Sequence, residues 1–345
     1  MKMILIVVLF ISLVIPVHAV DFTAPEVTGE AGTLIPDEIP SFGEGLLYIL
    51  KTAINGIQPE LVSGCRLCIS VIAVVMLVSV LNVLSGKNSE LIGMVGVLAV
   101  GALLLGTTNT LIRIASDTVT EISDYGKLLL PVMTAALAAQ GGITGSAALY
   151  TGTAFFDSLL GMAVSSFLVP MIYLFISLVI GYCAIGERIL KQLRDTIKGV
   201  VTWFMKTILY VFTGYMSISS VIAGGTDKVA LKSTTLTISG VVPVVGGIMS
   251  DASETILVGA AVVKNAVGIY GLLAVTSILI LPFLRVGVLY LLLKVTGAVC
   301  GIFSSDKTCD LLDGFSNAMG FLLGMTGTVS LLFLVSIVCF LKGVG

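Results

Sequence analysis

Long apolar runs separated by short charged connections make up most of this chain. Seven of them, at 67–84, 91–112, 159–183, 200–223, 262–284, 286–303 and 319–341, approach the twenty or so residues that an α-helix needs to cross about 30 Å of hydrocarbon. Two more, 128–149 and 236–260, are equally apolar but broken by Pro131 with Gly141-Gly142 and by Pro243 with Gly246-Gly247. The pattern predicts an all-α fold: a polytopic membrane bundle of about seven spanning helices with two re-entrant segments. The alternative for each broken run is an ordinary packed helix kinked by Pro and Gly.

Residues 1–19 read as a signal peptide. Lys2 precedes an apolar stretch from Met3 to Ile15, followed by Pro16 and the small-residue end Val17-His18-Ala19. Residues 20–66 read as an exported acidic segment, since Val20 to Glu60 holds seven acids against the single base Lys51. Within it, Leu46, Ile49, Leu50, Ala53, Ile54 and Ile57 recur at helical spacing up to Pro59, which predicts a short amphipathic helix on the outer face. Residues 67–345 then form the membrane domain.

Charge orients the runs. The most basic connection, 185–198, carries Arg188, Lys191, Arg194 and Lys198 against Glu187 and Asp195, and belongs in the cytoplasm by positive-inside bias. The acidic connections 113–127 and 304–318 then fall outside, and Arg285 and Lys342 inside. This gives seven crossings with an exported N-terminus and a cytoplasmic C-terminus. In the basic connection Ile189, Leu190, Leu193 and Ile197 share a helical face, so it is expected to form an amphipathic helix resting on anionic lipid or a docking surface for a cytoplasmic ATPase. The aligned Leu129-Leu130-Pro131-Val132 and Val241-Val242-Pro243-Val244 suggest a parallel internal repeat, 91–198 and 200–303.

Composition agrees with a membrane protein: 57% hydrophobic residues, only 11% charged, and a mean hydropathy of +1.13. Soluble domains carry about 25% charged residues. The formal net charge of −2 offers no basic surface for nucleic acid. The single histidine, His18, lies in the signal peptide, so no His-dependent catalysis or metal ligation is expected of the mature chain, and no cofactor. Cys65-x-x-Cys68 opens an apolar helix rather than a redox motif, while Cys300 and Cys309 flank an outer loop as a candidate pair. Lys294 falls near the middle of an apolar run, where a charge is costly, and calls for an acidic partner or a wet cavity. Asp251 and Glu254 are the nearest acids by topology, and Asp157 is the corresponding acid near the first broken run. Lys264 stands at the outer end of its run. A solute pathway at the paired broken segments would make the chain a self-contained secondary transporter or permease.

Several stretches together resemble the stage III sporulation protein AE family. They are the signal and acidic segments, Lys127-Leu128-Leu129-Leu130-Pro131-Val132-Met133-Thr134, the run from Val241 through Pro243, Gly246 and Gly247 to Ser250-Asp251-Ala252-Ser253-Glu254-Thr255, and Lys264-Asn265-Ala266-Val267-Gly268. The resemblance implies a multi-pass subunit of the mother-cell membrane around the forespore. It would belong to a channel or secretion-like complex with other proteins of the stage III sporulation A operon and a forespore membrane partner, required for late forespore development. The motif residues Pro131, Pro243, Gly246, Gly247, Asp251, Glu254 and Lys264 carry no role by resemblance, and no catalytic set is implied.

Overall fold

The computed structural model describes residues 24–36, 41–85, 89–140, 143–241, 246–303 and 306–342, with side chains over these ranges apart from 85, 143–144, 217–261 and 263. No strand occurs among the described residues. A single turn, α1 (Gly29–Gly32), precedes α2 (Phe42–Gly56), whose N-terminus is capped by Ser41: its Oγ accepts from the Glu44 amide at 3.3 Å. After Ile57 the chain continues as α3 (Gln58–Ser85), with Pro59 in the first turn, where its missing amide donor is harmless.

The remaining helices are long. α4 (Ser89–Ala139) has 51 residues, α7 (Arg188–Val241) 54, α8 (Gly246–Cys300) 55 and α9 (Asp306–Lys342) 37. At 1.5 Å per residue they measure about 76, 81, 82 and 55 Å, all well beyond a bilayer's hydrocarbon. Between α4 and α7, α5 (Ile143–Ala163) passes through a π-helical turn, Val164–Leu168, into α6 (Val169–Ile185). The wide turn lies just before Pro170 and absorbs the amide it lacks. α6 stops at Gly186, whose φ of 87° is left-handed and whose N–H donates to the Tyr182 carbonyl at 2.7 Å.

Neighbouring helices have a fixed register. Ser79 Oγ donates to the Phe303 carbonyl at 2.7 Å and Glu60 meets Arg285, so α3 runs parallel to the C-terminal half of α8. α9 runs antiparallel to α8, with Gly297 against Leu312 at one end and Gly268 against Leu341 at the other. Gly186 lies against Lys307, which brings the α6–α7 turn beside the start of α9. The α3–α4, α6–α7 and α8–α9 connections thus share one end of the bundle, and Lys342 lies at the other. α9 is the most enclosed helix, with Leu311, Phe315, Met319, Leu322, Leu332 and Phe340 at 0% exposure. Close approach needs small residues: a Cβ on Gly126 would strike the Phe333 ring, and one on Gly314 would strike Val179.

Five helical stretches are long and apolar enough to cross a membrane among the described residues: Gln58–Leu84, Ser89–Ala139, Gly145–Ile185, Lys264–Cys300 and Asp306–Lys342. Several expected breaks are absent. The runs 262–284 and 286–303 form one helix, because Arg285 alone supplies no residues with which to turn the chain. The acidic connection 113–127 is helix as well. Arg113, Asp117, Glu121 and Asp124 recur every three or four residues, Arg113 pairs with Asp117 at 3.7 Å, and Ala115, Val119 and Ile122 bury the opposite face. Most of the acidic connection 304–318 is the start of α9. The segment 128–149 is divided between the end of α4, which carries Pro131 inside it, and the start of α5. The segment 236–260 is likewise divided between the end of α7 and the start of α8, with 242–245 outside the described residues. The basic stretch 188–198 is not a separate surface helix but the first three turns of α7; Ile197 is buried while Ile189 and Leu193 are 67% and 48% exposed. α2 packs along α8, with Gly45 against Leu273, and Ile49 and Ala53 buried with Leu281; its apolar face is met by protein rather than by lipid.

With those breaks removed, α3, α4, α5–α6, α7, α8 and α9 run back and forth along the bundle as six long legs, and all but α7 hold a candidate span among the described residues. The C-terminus therefore finishes at the end opposite the basic stretch, not beside it. Single-cysteine reporters in a background with the native cysteines replaced should show this. Lys191→Cys and Lys307→Cys should react with an impermeant thiol reagent from one face of the membrane, and Lys342→Cys from the other. Labelling of all three from the same face would break the six-leg path.

Candidate functional site

Several polar groups inside this apolar bundle connect one helix to another. Arg285 is the most connected. Its Nη2 and Nη1 donate to Glu30 Oε1 and Oε2 at 2.8 and 3.2 Å, and its Nε donates to Glu60 Oε1 at 2.8 Å. The planar guanidinium suits this fork, with two donors on one carboxylate and the third on another. The Arg285 and Glu60 side chains are only 23% and 27% exposed, so α8 is tied to α3 by well-shielded charge, while the tie to the N-terminal segment ends on Glu30, 62% exposed.

Lys294 has a different partner from those expected. Its Nζ pairs with Asp313 of α9 in a short contact, while the Asn317 amide donates to Asp313 Oδ2 at 2.9 Å and to its carbonyl at 2.8 Å. Lys198 Nζ then donates to Asn317 Oδ1 at 3.1 Å. The chain Lys294–Asp313–Asn317–Lys198 crosses three helices. Asp313 had been grouped with an outer acidic loop; because α9 starts at Asp306, it stands two turns into the helix, opposite Lys294. The Asp251 and Glu254 side chains, like Pro243, lie outside the described residues, and Gly246 and Gly247 begin α8.

A third group lies between α4 and α5. Asp157 is 4% exposed, and its Oδ2 accepts from Ser123 Oγ at 2.9 Å. Beside it, Lys127, Tyr150 and Ser158 line a cavity of about 320 Å³. Lys127 is itself paired with Asp124 at 2.8 Å. A second cavity, of about 400 Å³, is lined by Glu26, Asp117, Glu121 and Asp124 with Tyr125, and is acidic. Lys264 is 5% exposed about five turns into α8, and no charged partner is described for it.

In the basic stretch, Arg194 pairs with Asp195 at 2.8 Å and stacks over the Tyr182 ring at 5.0 Å, whereas Arg188 and Lys191 are exposed. All six cysteines are free, so the candidate Cys300–Cys309 pair is not joined. No group of three or more His, Cys, Asp or Glu is arranged to hold a metal among the described residues. The arrangement is a set of interhelical ties and polar cavities, suited to holding helices in register and to meeting polar ligands within a membrane.

Sequence reasoning missed Arg285 with Glu30 and Glu60, and Asp313. A signal for Arg285 was present: the stretch Leu284-Arg285-Val286 has no turn residues, so the arginine had to sit within a helix and needed acids beside it. Nothing local marked Glu30 and Glu60, which lie 255 and 225 residues away.

The profile of the family described as stage III sporulation protein AE matches residues 42–343. A curated relative, Stage III sporulation protein AE of Bacillus subtilis (strain 168), is 21% identical over 274 residues, covering 79% of this chain and 69% of the relative. No solved structure matches the chain.

The two ion clusters should differ in weight. Arg285→Met strands the shielded Glu60 carboxylate and is expected to cost about 1.5–3 kcal/mol, the range for hydrogen bonds to charged groups. Lys294→Met removes a pair whose side chains are 42% and 55% exposed and should cost at most about 1 kcal/mol. Adding Glu30→Gln and Glu60→Gln to Arg285→Met should recover most of the loss. Thermal unfolding of the purified variants in detergent measures this ranking; an Arg285→Met protein as stable as the parent would show that the fork holds nothing together.

Proposed function

The chain belongs to the stage III sporulation protein AE family, and from that premise we propose that it is a structural membrane subunit of the secretion-like channel complex joining mother cell and forespore, required for late forespore development. It is a multi-pass membrane protein by its long apolar helices. In our reading it sits in the mother-cell membrane around the forespore, with the N-terminal segment exported and the end bearing Arg188, Lys191, Lys198 and Lys307 in the cytoplasm, as positive-inside bias favours. Its partners are then the other stage III sporulation A-operon membrane proteins and a forespore membrane protein, with the cytoplasmic basic end open to an ATPase of the same complex.

The observation that carries this reading is the family match over residues 42–343, which takes in the helical body from α2 to α9. Helix length supports it. In α4 the lipid-compatible run 91–112 alone is about 33 Å long, enough for one bilayer. The rest of α4, from the charged stripe at Arg113–Lys127 to Ala139, then projects on the exported face, where it can meet partners. The exposed aromatic and apolar side chains Tyr150, Phe155, Tyr210 and Val211 belong to helices on that projecting side and suit contact with other subunits.

Affinity isolation of the tagged chain from sporulating cells, after mild detergent extraction, should bring down the other membrane proteins of the operon in fixed ratio. A chain that purifies alone from such cells, and moves a solute unaided when placed in liposomes, would replace this reading with that of a self-contained transporter.

A further inference from the structure

A groove of about 370 Å³ opens on the flank of the bundle between α7 and α9. Lys198, Thr202 and Lys206 form one wall, spaced by four residues so that all three fall on a single face of α7. The facing wall is α9, where Asn317, Gly320 and Gly324 follow one another at the same helical spacing. Gly320 and Gly324 carry no side chains and are approached by Tyr290 and Met205, which with Leu209 and Phe321 make the groove apolar away from the lysines.

The charge in this groove is unbalanced. No carboxylate lines it. Lys198 Nζ donates to the neutral Asn317 Oδ1 at 3.1 Å and feels the Asp313 carboxylate beyond it without pairing to it. The nearest acid on α9, Asp313, already serves Lys294 and the Asn317 amide. Lys206 is exposed on the apolar stretch of α7, and no ion pair is described for it. A lysine facing hydrocarbon is costly unless it meets an anion or reaches the interface. Arg188 and Lys191, exposed two to three turns before Lys198, add to the positive potential at the groove's entrance. Basic pockets between helices near a membrane face are suited to anionic lipid headgroups.

We propose that this groove is a binding site for an anionic phospholipid. Its phosphodiester lies between the Lys198 and Lys206 ammonium groups, and its acyl chains run over Gly320 and Gly324 along Leu209 and Phe321. The polar entrance and apolar depth match an amphiphile better than a free anion, which would leave the apolar part unfilled. This site does not depend on the sporulation-complex reading, because lipid retention is a property of the isolated chain.

The test is native mass spectrometry of the full-length protein, purified from nanodiscs holding equal amounts of phosphatidylglycerol and phosphatidylcholine. The parent should retain phosphatidylglycerol in preference. Each lysine near an anionic headgroup contributes about a fivefold factor, so Lys198→Gln with Lys206→Gln should weaken retention about 25-fold. The paired Lys→Arg variant should keep it, and Lys51→Gln, on α2 away from the groove, should behave as the parent. Gly320→Leu fills the groove with both lysines intact and should also lose the lipid, which keeps the proposal testable if the double glutamine variant fails to accumulate. Equal retention of the two lipids by the parent would overturn the site, as would undiminished phosphatidylglycerol in the double glutamine variant or in Gly320→Leu. Displacement of the lipid by an equimolar amount of inorganic phosphate would make this a free-anion site and overturn the lipid assignment.

Discussion

A peptide group in hydrocarbon has no water to bond with, so every backbone amide must find its partner within the chain. This protein meets that requirement with helices that continue far past the thickness of a bilayer. One consequence is that connections are scarce. Where a soluble protein would turn, α4 and α8 carry on, through Pro131 in one and Pro282 in the other. In α4 the prolyl nitrogen offers no donor to the Lys127 carbonyl, and the helix is held in line by packing on both sides of the gap: Leu129, Leu130 and Met133 are all buried. Long unbroken helices also fix the positions of distant residues relative to one another. Once Gly268 meets Leu341 and Gly297 meets Leu312, every side chain between them on α8 and α9 has its height set.

That rigidity explains why so few polar groups suffice. Van der Waals packing between helices supplies most of the cohesion, with small residues allowing close approach, as at Gly126 and Gly314. The ion clusters add specificity of register. Lys294 with Asp313 sets α8 against α9, Ser123 with Asp157 sets α4 against α5, and Arg285 sets α8 against both α3 and the N-terminal segment. The groove between α7 and α9 is the place where this economy is incomplete, since two lysines of α7 face α9 with no carboxylate among the residues that line it.

The fold class was legible because apolar periodicity over twenty residues has few other meanings. The helix boundaries were not, because the reasoning treated charges as marks of a connection. In 113–127 the charges lie on one stripe of a continuing helix, and their spacing of three and four residues said so. At Arg285 the same assumption divided one helix into two, whereas the unbroken helix leaves Lys342 at the end of the bundle opposite the basic stretch. The basic stretch 188–198 was correctly read as helical, but its apolar residues do not share one environment: Ile197 faces the core and Ile189 does not. Of the candidate polar residues, Lys294 was found by its cost in an apolar run. Its partner was missed because Asp313 had been assigned to a loop. Pairings such as Arg285 with Glu30 depend on tertiary register, which no local pattern in one sequence contains.

The Arg285 fork also fixes an order of events during synthesis. Glu60 leaves the ribosome 225 residues before Arg285. At roughly 5–20 residues per second, it waits about 11 to 45 s for its partner. By the end of that interval α3 and α4 are complete, while Glu30 and Glu60 still lack the guanidinium that pairs with them. The N-terminal segment is therefore the first part of the described chain to be made and among the last to be secured, and its docking marks the arrival of α8.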